Sequence, residues 1–288
     1  MKKKKKNRIL STQYLLKIQN VFKENNWEIE DTEDSHDSLF NRYCERILEI
    51  SENKKRDLIL DLTSHYLWVE NNQYIDYLIK AMINLIQLRS EIQENTKFYI
   101  MPLIAPKDRG KPKSSSMVVY LFNDVKLRYH KILSKYKFEI ISTDEEVKKE
   151  LQQDNAILIL ADDFIGSGDT AEKCLLHIMG LGIEVRKIVI VSLVAQKQGI
   201  DYLSQYGVCI SVPEVRQRGI SDYYSGEELD KNIQMMEDIE RKMSVEEKYR
   251  FGYKKSEALV TMCRTPNNTF PIFWEEKGNM KVAPFPRF

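Results

Sequence analysis

The chain has 288 residues, with 44 Lys and Arg against 43 Asp and Glu, and a formal net charge of +1. That balance excludes a general electrostatic attraction to nucleic acid or to an anionic membrane, and the length fits one large α/β domain with an accessory part, or two small domains. No apolar run approaches a membrane span, and no apolar segment follows the first lysines, so a cytoplasmic protein without a membrane partner is expected.

Residues 2–6 are five consecutive lysines. They read as a disordered, solubilising tail, with contact to nucleic acid or phosphate as the alternative. Residues 1–95 read as a helical N-terminal region and residues 96–288 as an α/β domain. Tyr14, Leu15, Ile18, Val21 and Phe22 recur at helical spacing, as do Leu39, Tyr43, Ile47, Leu48 and Ile50. An acidic break at 31–37 separates these two helices, and further helices are predicted over 58–68 and 74–88. Leu60, Leu62, Tyr66 and Trp68 are expected in the core.

Residues 98–104, FYIMPLI, predict a strand that runs into APKDRGKPKSSS at 105–116. Arg109, Lys111, Ser114, Ser115 and Ser116 make this a cationic, hydroxyl-rich loop suited to neutralising an anion; a solvated basic loop without a ligand is the alternative.

The most informative stretch is AILILADDFIGSGDT at 156–170. Ile157, Leu158, Ile159 and Leu160 lack polar alternation, which predicts a strand buried on both faces in a parallel sheet. Asp162 and Asp163 are expected to leave the strand into a turn. There Gly166 and Gly168 relax the backbone, Ser167 and Thr170 offer hydroxyls, and a helix starts at Asp169 or Thr170. A helix N-terminus facing a glycine turn makes a nest for phosphate. The acids belong beside that phosphate, on ribose hydroxyls or a hydrated Mg2+. No Lys follows Gly168 and no G-x-G-x-x-G is present, which removes the P-loop and dinucleotide readings. An Asx turn with an ordinary N-cap is the remaining alternative.

Residues 187–194 (KIVIVSLV) predict a second strand, 195–206 a helix and 208–212 a third strand. Repeated βαβ units place a ligand beyond the strand carboxyl ends. Residues 221–248 predict a charged surface helix. In RTPNNTFPIFW at 264–274, Pro266, Pro271 and two Asn residues demand a turn-rich path, while Phe270, Phe273 and Trp274 are too apolar for water. Cys44, Cys174, Cys209 and Cys263 form no CxxC pair, and His36, His65, His130 and His177 show no ligand spacing, so zinc is not expected.

The pattern of four apolar residues, a small residue, two acids, two apolar residues and then small-hydroxyl-Gly-x-Thr resembles the 5-phosphoribosyl-1-diphosphate (PRPP) motif of type I phosphoribosyltransferases. Together with the TPNNT-x-P-x-x-W segment, it resembles the phosphoribosyltransferase-like domains described from bacterial conflict and defence systems, over residues 98–288. The resemblance implies a parallel-sheet, Rossmann-like α/β core behind the N-terminal helical region. It implies PRPP or a related sugar phosphate as ligand, Mg2+ as cofactor, and displacement of diphosphate from ribose C1. Asp162 and Asp163 would be catalytic, engaging the ribose hydroxyls and the metal through them or through water. Gly166, Ser167, Gly168, Asp169 and Thr170 would wrap the 5′-phosphate, and Arg109, Lys111, Ser114 and Ser115 would grip the diphosphate.

The same resemblance makes Thr265, Asn267, Asn268 and Trp274 a hood on the acceptor side; a staple that closes turns and fixes the C-terminus is the alternative. Ser167 stands where Thr is usual. Asp169 stands where small or basic residues are frequent, and is unfavourable beside phosphate unless paired or turned outward. Gly166 replaces the acidic base of 6-oxopurine transferases, which argues against such an acceptor. An effector in antiviral defence, with a defence-system protein as partner, is the role implied; the alternative is a non-catalytic sugar-phosphate sensor or partner-binding subunit.

Overall fold

The computed structural model describes residues 9–30 and 38–287; the lysine run at 2–6, the acidic break at 31–37 and His36 lie outside the described residues. In chain order, helices α1 (Thr12–Glu24), α2 (Leu39–Glu49) and α3 (Asn53–Ser64) precede the short strand β1 (Leu67–Trp68). Helix α4 (Tyr74–Leu88) leads into β2 (Lys97–Pro102), α5 (Ser114–Tyr120), α6 (Val125–Arg128), β3 (Lys137–Ile140) and α7 (Asp144–Glu150). Then come β4 (Ala156–Ile165), α8 (Asp169–Gly180), β5 (Ile188–Gln196), α9 (Lys197–Ser204), β6 (Cys209–Ser211) and β7 (Glu214–Arg216). Helix α10 (Gly226–Lys242) and β8 (Val260–Thr261) complete the regular elements.

Two compact units result: Val69–Gln217, and a second assembled from the chain up to Trp68 and from Arg218 onward. The division therefore does not fall near residue 95, for two physical reasons. Helix α4 buries Leu78, Ala81, Met82 and Leu85 within the sheet-bearing unit, and Ser211 Oγ donates to the Ala81 carbonyl at 2.7 Å. The C-terminal segment instead supplies β8, which pairs in parallel with β1 through Leu67–Val260 and Trp68–Thr261.

In the Val69–Gln217 unit the strands run in the order β3-β2-β4-β5-β6, with β7 also on β5, and every pairing is parallel. The order reverses between β2 and β4, so the crevice at their carboxyl ends is the topological switch point of the sheet. All nine residues of β5 and the first six of β4 are buried, as expected for central strands covered on both faces. One face packs Leu158, Leu160, Ile188 and Ile190 against Ala171, Cys174, Leu175 and Ile178 of α8.

Strand β4 is longer than the sequence suggests. Asp162 pairs with Ser192, Phe164 with Val194 and Ile165 with Ala195, so both acids lie within the strand and not in a loop after it. The ladder to β5 overrides the loop-like composition. Strands β3 and β7 were not anticipated. Helix α9 is shorter than 195–206 because β5 continues to Gln196.

The other unit centres on aromatic contacts. Phe22 meets Trp27, Phe40 and Tyr43 edge-on at centroid distances of 5.2, 5.2 and 5.5 Å, and Tyr66 stacks on Phe285 at 4.9 Å. Leu60, Leu62 and Tyr66 are buried as expected, while Trp68 is half-buried. Helix α10 is not only a charged surface helix: Met236, Ile239 and Glu240 are buried. Among the described residues, no helix is long and apolar enough to cross a membrane.

Candidate functional site

The pleat of β4 sends consecutive side chains to opposite faces. Asp162 falls in the row of Leu158 and Leu160, on the α8 side. Asp163 falls on the opposite side, where two hydroxyls meet it: Ser114 Oγ at the start of α5 donates to Oδ1 at 2.7 Å, and Tyr74 Oη at the start of α4 donates to Oδ2 at 3.2 Å. Tyr74 is fully buried and Asp163 is 5% exposed. The Asp163 amide donates to Asp162 Oδ1 at 3.0 Å. Asp162 keeps partial exposure, yet burial of its carboxyl and then the adjacent Asp163 charge hold it well above the usual carboxylate range, with Lys113 pulling weakly the other way.

The turn after β4 is shaped by two glycines. Gly168 caps α8 at φ +83°, a conformation that L side chains rarely adopt, and a Cβ there would lie 3.1 Å from Tyr202 Cδ1. Gly199 of α9 approaches so closely that a Cβ on it would lie 2.2 Å from the Gly166 carbonyl oxygen. Gly166 and Gly168 are buried, Ser167 and Asp169 partly exposed and Thr170 exposed. Asp169 opens α8 and pairs with Lys173 at 2.5 Å, one turn on. The charge that would oppose a phosphate is therefore neutralised locally. The amides of the first turn of a 12-residue helix face this turn.

The segment after β2 is less loop-like than its composition. Residues 106–108 form a short 3-10 turn, and Ser114, Ser115 and Ser116 are the first turn of α5. Its cations are already matched: Arg109 bonds Asp144 at 2.8 Å, Lys111 bonds Asp108 at 2.6 Å and Lys113 approaches Asp108 at 3.6 Å. His177 Nε2 lies 3.0 Å from the other Asp144 oxygen. Burial pushes the Asp144 carboxyl up, but the Arg109 and His177 contacts outweigh it and hold the group below its ordinary value. A cleft of about 420 Å³ beside this segment is lined by Arg109, Gly110, Lys111, Ser116 and Ser142 among others.

Arg109 and Lys111 thus share one cleft, whereas Ser115 is 2% exposed and turned inward, and Ser114 faces Asp163. None of residues 162–170 lines that cleft. Ser116 lines the cleft as its place in the basic segment suggests, whereas Ser142, Asp144 and Tyr74 join the neighbourhood without having been singled out. For Asp144 a signal existed: Thr143 and Glu146 form a reciprocal capping box, which marks the start of α7 in the sequence T-D-E-E. Nothing in the sequence marks the destination of the Tyr74 hydroxyl.

Thr265, Asn267, Asn268 and Trp274 belong to the other compact unit. There Thr265 Oγ1 donates to the Phe285 carbonyl at 3.0 Å, Asn268 Nδ2 donates to Ser256 Oγ at 2.9 Å, and Trp274 Nε1 donates to the Thr269 carbonyl at 2.7 Å. The Asn267 carbonyl accepts from the Tyr253 amide at 2.8 Å. Phe270, Phe273 and Trp274 are buried, as their apolar character demands.

A Mg2+ ion at the acid pair would draw most of its ligands from water or from a bound molecule. Both Asp163 oxygens accept hydroxyls, and among the described residues no group of three or more His, Cys, Asp or Glu side chains could hold a metal ion. Asp162, which accepts only the Asp163 amide while Asp163 accepts two hydroxyls, is the acid that would have room for a water of a hydrated Mg2+.

A parallel sheet with helices on it, an acidic pair at the carboxyl end of its central strand and a glycine turn into the next helix define a phosphoribosyltransferase-like α/β protein. The family model PRTase-CE matches residues 31–287, and the chain belongs to that family. No curated protein matches it.

Proposed function

We propose that this protein binds PRPP and displaces diphosphate from ribose C1, with Mg2+ as cofactor. The observation that carries the reading is the position of Asp162, Asp163 and the Gly166–Gly168 turn at the carboxyl ends of β2 and β4, the switch point of the sheet. The turn and the first amides of α8 receive the 5′-phosphate. Asp162 accepts ribose hydroxyls and opposes the positive charge that develops on the ring as the C1–O bond to diphosphate breaks and the bond to the acceptor forms. Arg109 and Lys111 meet the departing diphosphate. Mg2+, when bound, neutralises charge on that leaving group.

Gly166 supplies no acceptor-side base, so the acceptor is of a kind that needs none from this position. Only the resemblance supports the further reading, an effector that depletes PRPP in bacterial defence alongside a protein partner. Diphosphate release from PRPP, followed with and without Mg2+ and with Asp162→Asn as control, tests the enzyme; binding without release across candidate acceptors, water included, would sink it. That outcome is the second reading, a sensor of sugar phosphates, and the ion pairs that already occupy Arg109, Lys111 and Lys113 favour it.

A further inference from the structure

We infer that the amino ends of β2, β4 and β5 carry a separate anion site, in which Arg89 receives an oxygen of a carboxylate or phosphoryl group. The site lies outside the crevice proposed for PRPP and does not rest on that reading.

A cleft of about 270 Å³ opens there, lined by Arg89, Glu91, Thr96, Asp154, Arg186 and Lys187 among others. Thr96 directly precedes β2, Asp154 lies two residues before β4 and Arg186 two before β5, so the starts of three strands build its walls. It shares no lining residue with the cleft of Arg109 and Lys111. Asp162 is six residues along β4 from Ala156. At about 3.3 Å per residue, that puts the acid pair about 20 Å from the strand start.

Arg89 follows the last residue of α4, and its guanidinium has five N–H donors to place. Nε and Nη2 both meet Glu91 Oε1 at 2.7 Å, and Nη2 also donates to the Arg186 carbonyl at 2.8 Å. Those contacts use three donors and hold the group from two sides. The two that remain are on Nη1, which is buried and has no hydrogen-bond partner among the described residues. A charged donor shielded from water and left without an acceptor is costly, so a folded protein rarely keeps one without a reason. An oxygen that enters the cleft supplies the acceptor. Two hydrogens on one guanidinium nitrogen suit one or both oxygens of a carboxylate, or the oxygens of a phosphoryl group.

The other charges limit what fits. Lys187 Nζ donates to the Leu151 and Gln153 carbonyls at 2.8 and 2.9 Å, and Arg186 holds Glu184 at 2.6 Å. Both still bring positive charge to the cleft, against Glu91 and the exposed Asp154. Three cations thus face two carboxylates, a balance that suits a ligand group with a single negative charge.

The test titrates the full chain with inorganic phosphate and, separately, with sodium acetate, against sodium chloride at matched ionic strength. The backbone amide signals of Arg89, Thr96 and Asn155 are followed by NMR together with that of Gly168. We expect saturable shifts at the first three with at least one of the two oxyanions and none with chloride. Arg89→Lys keeps the charge but removes Nη1, and should weaken the binding about tenfold. Asp154→Asn removes an opposing charge from an exposed position, and should tighten it about two- to fivefold.

Saturation by phosphate alone assigns a phosphoryl ligand, and saturation by acetate alone a carboxylate. Saturation by both makes the oxyanion itself the recognised unit. No saturable shift with either, or Arg89→Lys binding as tightly as the wild type, would overturn the inference. Where Arg89→Lys does not fold, Asp154→Asn decides, and binding that fails to tighten counts against the site. Gly168 reports the phosphate turn before α8 in the same spectra. A silent Gly168 therefore speaks against the proposed function and leaves the Arg89 site standing.

Discussion

Gly199 on α9 lies so close to Gly166 that a single added methyl would sit 2.2 Å from the Gly166 carbonyl oxygen. The clash is with backbone, which cannot swing aside as a flexible side chain can. Gly199→Ala should therefore either push α9 off the turn or distort the turn itself. The expected cost is about 1–3 kcal/mol of stability, read as a lower melting temperature, together with loss of PRPP affinity. A variant that melts and binds like the wild type would show that the contact is not tight in solution.

The two acids should respond differently to the same substitution. Asp162→Asn alters a side chain whose single donor is the Asp163 amide, and the amide oxygen of Asn can keep that bond, so it should leave stability nearly unchanged while removing ligand affinity. Asp163→Asn leaves one of the two hydroxyls, of Tyr74 or Ser114, facing an amide NH2 in place of an acceptor and should cost about 1–3 kcal/mol. Thermal unfolding of both variants at one pH checks the asymmetry, and equal losses would contradict it.

Asp144 restrains Arg109, with His177 on its other oxygen. An anion that enters the cleft must take Arg109 from that carboxylate. Asp144→Asn should therefore bind inorganic diphosphate more tightly, by about tenfold if roughly 1.4 kcal/mol of pairing is released. Calorimetric titration with diphosphate measures it directly; weaker binding would mean that Asp144 positions Arg109 for the anion and does not hold it back.

Glu240 offers a pH-dependent prediction in the other unit. It is fully buried on α10, and both of its oxygens accept the Phe251 amide, at 3.1 and 3.0 Å. Burial pushes its carboxyl up to about 8, with Arg250 opposing and Glu237 and Glu257 adding to the rise. The unfolded chain releases this proton near 4.3. Between those values the folded state holds a proton that the unfolded state has lost, so stability falls as pH rises from about 4.3 to about 8. Glu240→Gln should flatten that slope and be more stable than the wild type at the upper end of the window. Urea midpoints at both ends of the window decide it.

How much of this was legible in the sequence depends on whether the cause was local. Ile157 to Leu160 announced a central strand because a run without polar alternation has few other destinations. The end of that strand was misplaced because Asp162, Asp163 and Gly166 have loop composition, and only the ladder to Ser192 and Ala195 carries β4 onward. The start of α8 at Asp169 was legible from the glycine turn before it, where Gly168 takes the φ of +83° that the cap here requires. Strand β3 was missed because it is an edge strand with a single buried side chain, Phe138, and so carries no pattern.

The discontinuous unit was beyond reach for a related reason. Nothing in 218–288 states that Ile220, Met236, Phe270 and Phe285 share a cluster with Phe22 and Tyr43 of the N-terminal helices. The basic segment was read for its cations, and the acids Asp108 and Asp144 that match them were passed over. Asp108 was in plain view within the segment, while Asp144 required the β2–β3 crossover to bring it near.

Because β4 stays laddered to β5 from Leu158 to Ile165, the wall that carries the acids is an anvil: moving Asp162 by backbone motion would break its pairing with Ser192, although the β2 ladder ends one residue earlier, at Ala161. The wall that carries Arg109 and Lys111 has no such bracing, being a short turn between β2 and α5 held by ion pairs. Under the proposed function, a diphosphate-bearing ligand would enter and leave from that side, at a rate set by how fast Arg109 and Lys111 trade carboxylates for phosphate oxygens.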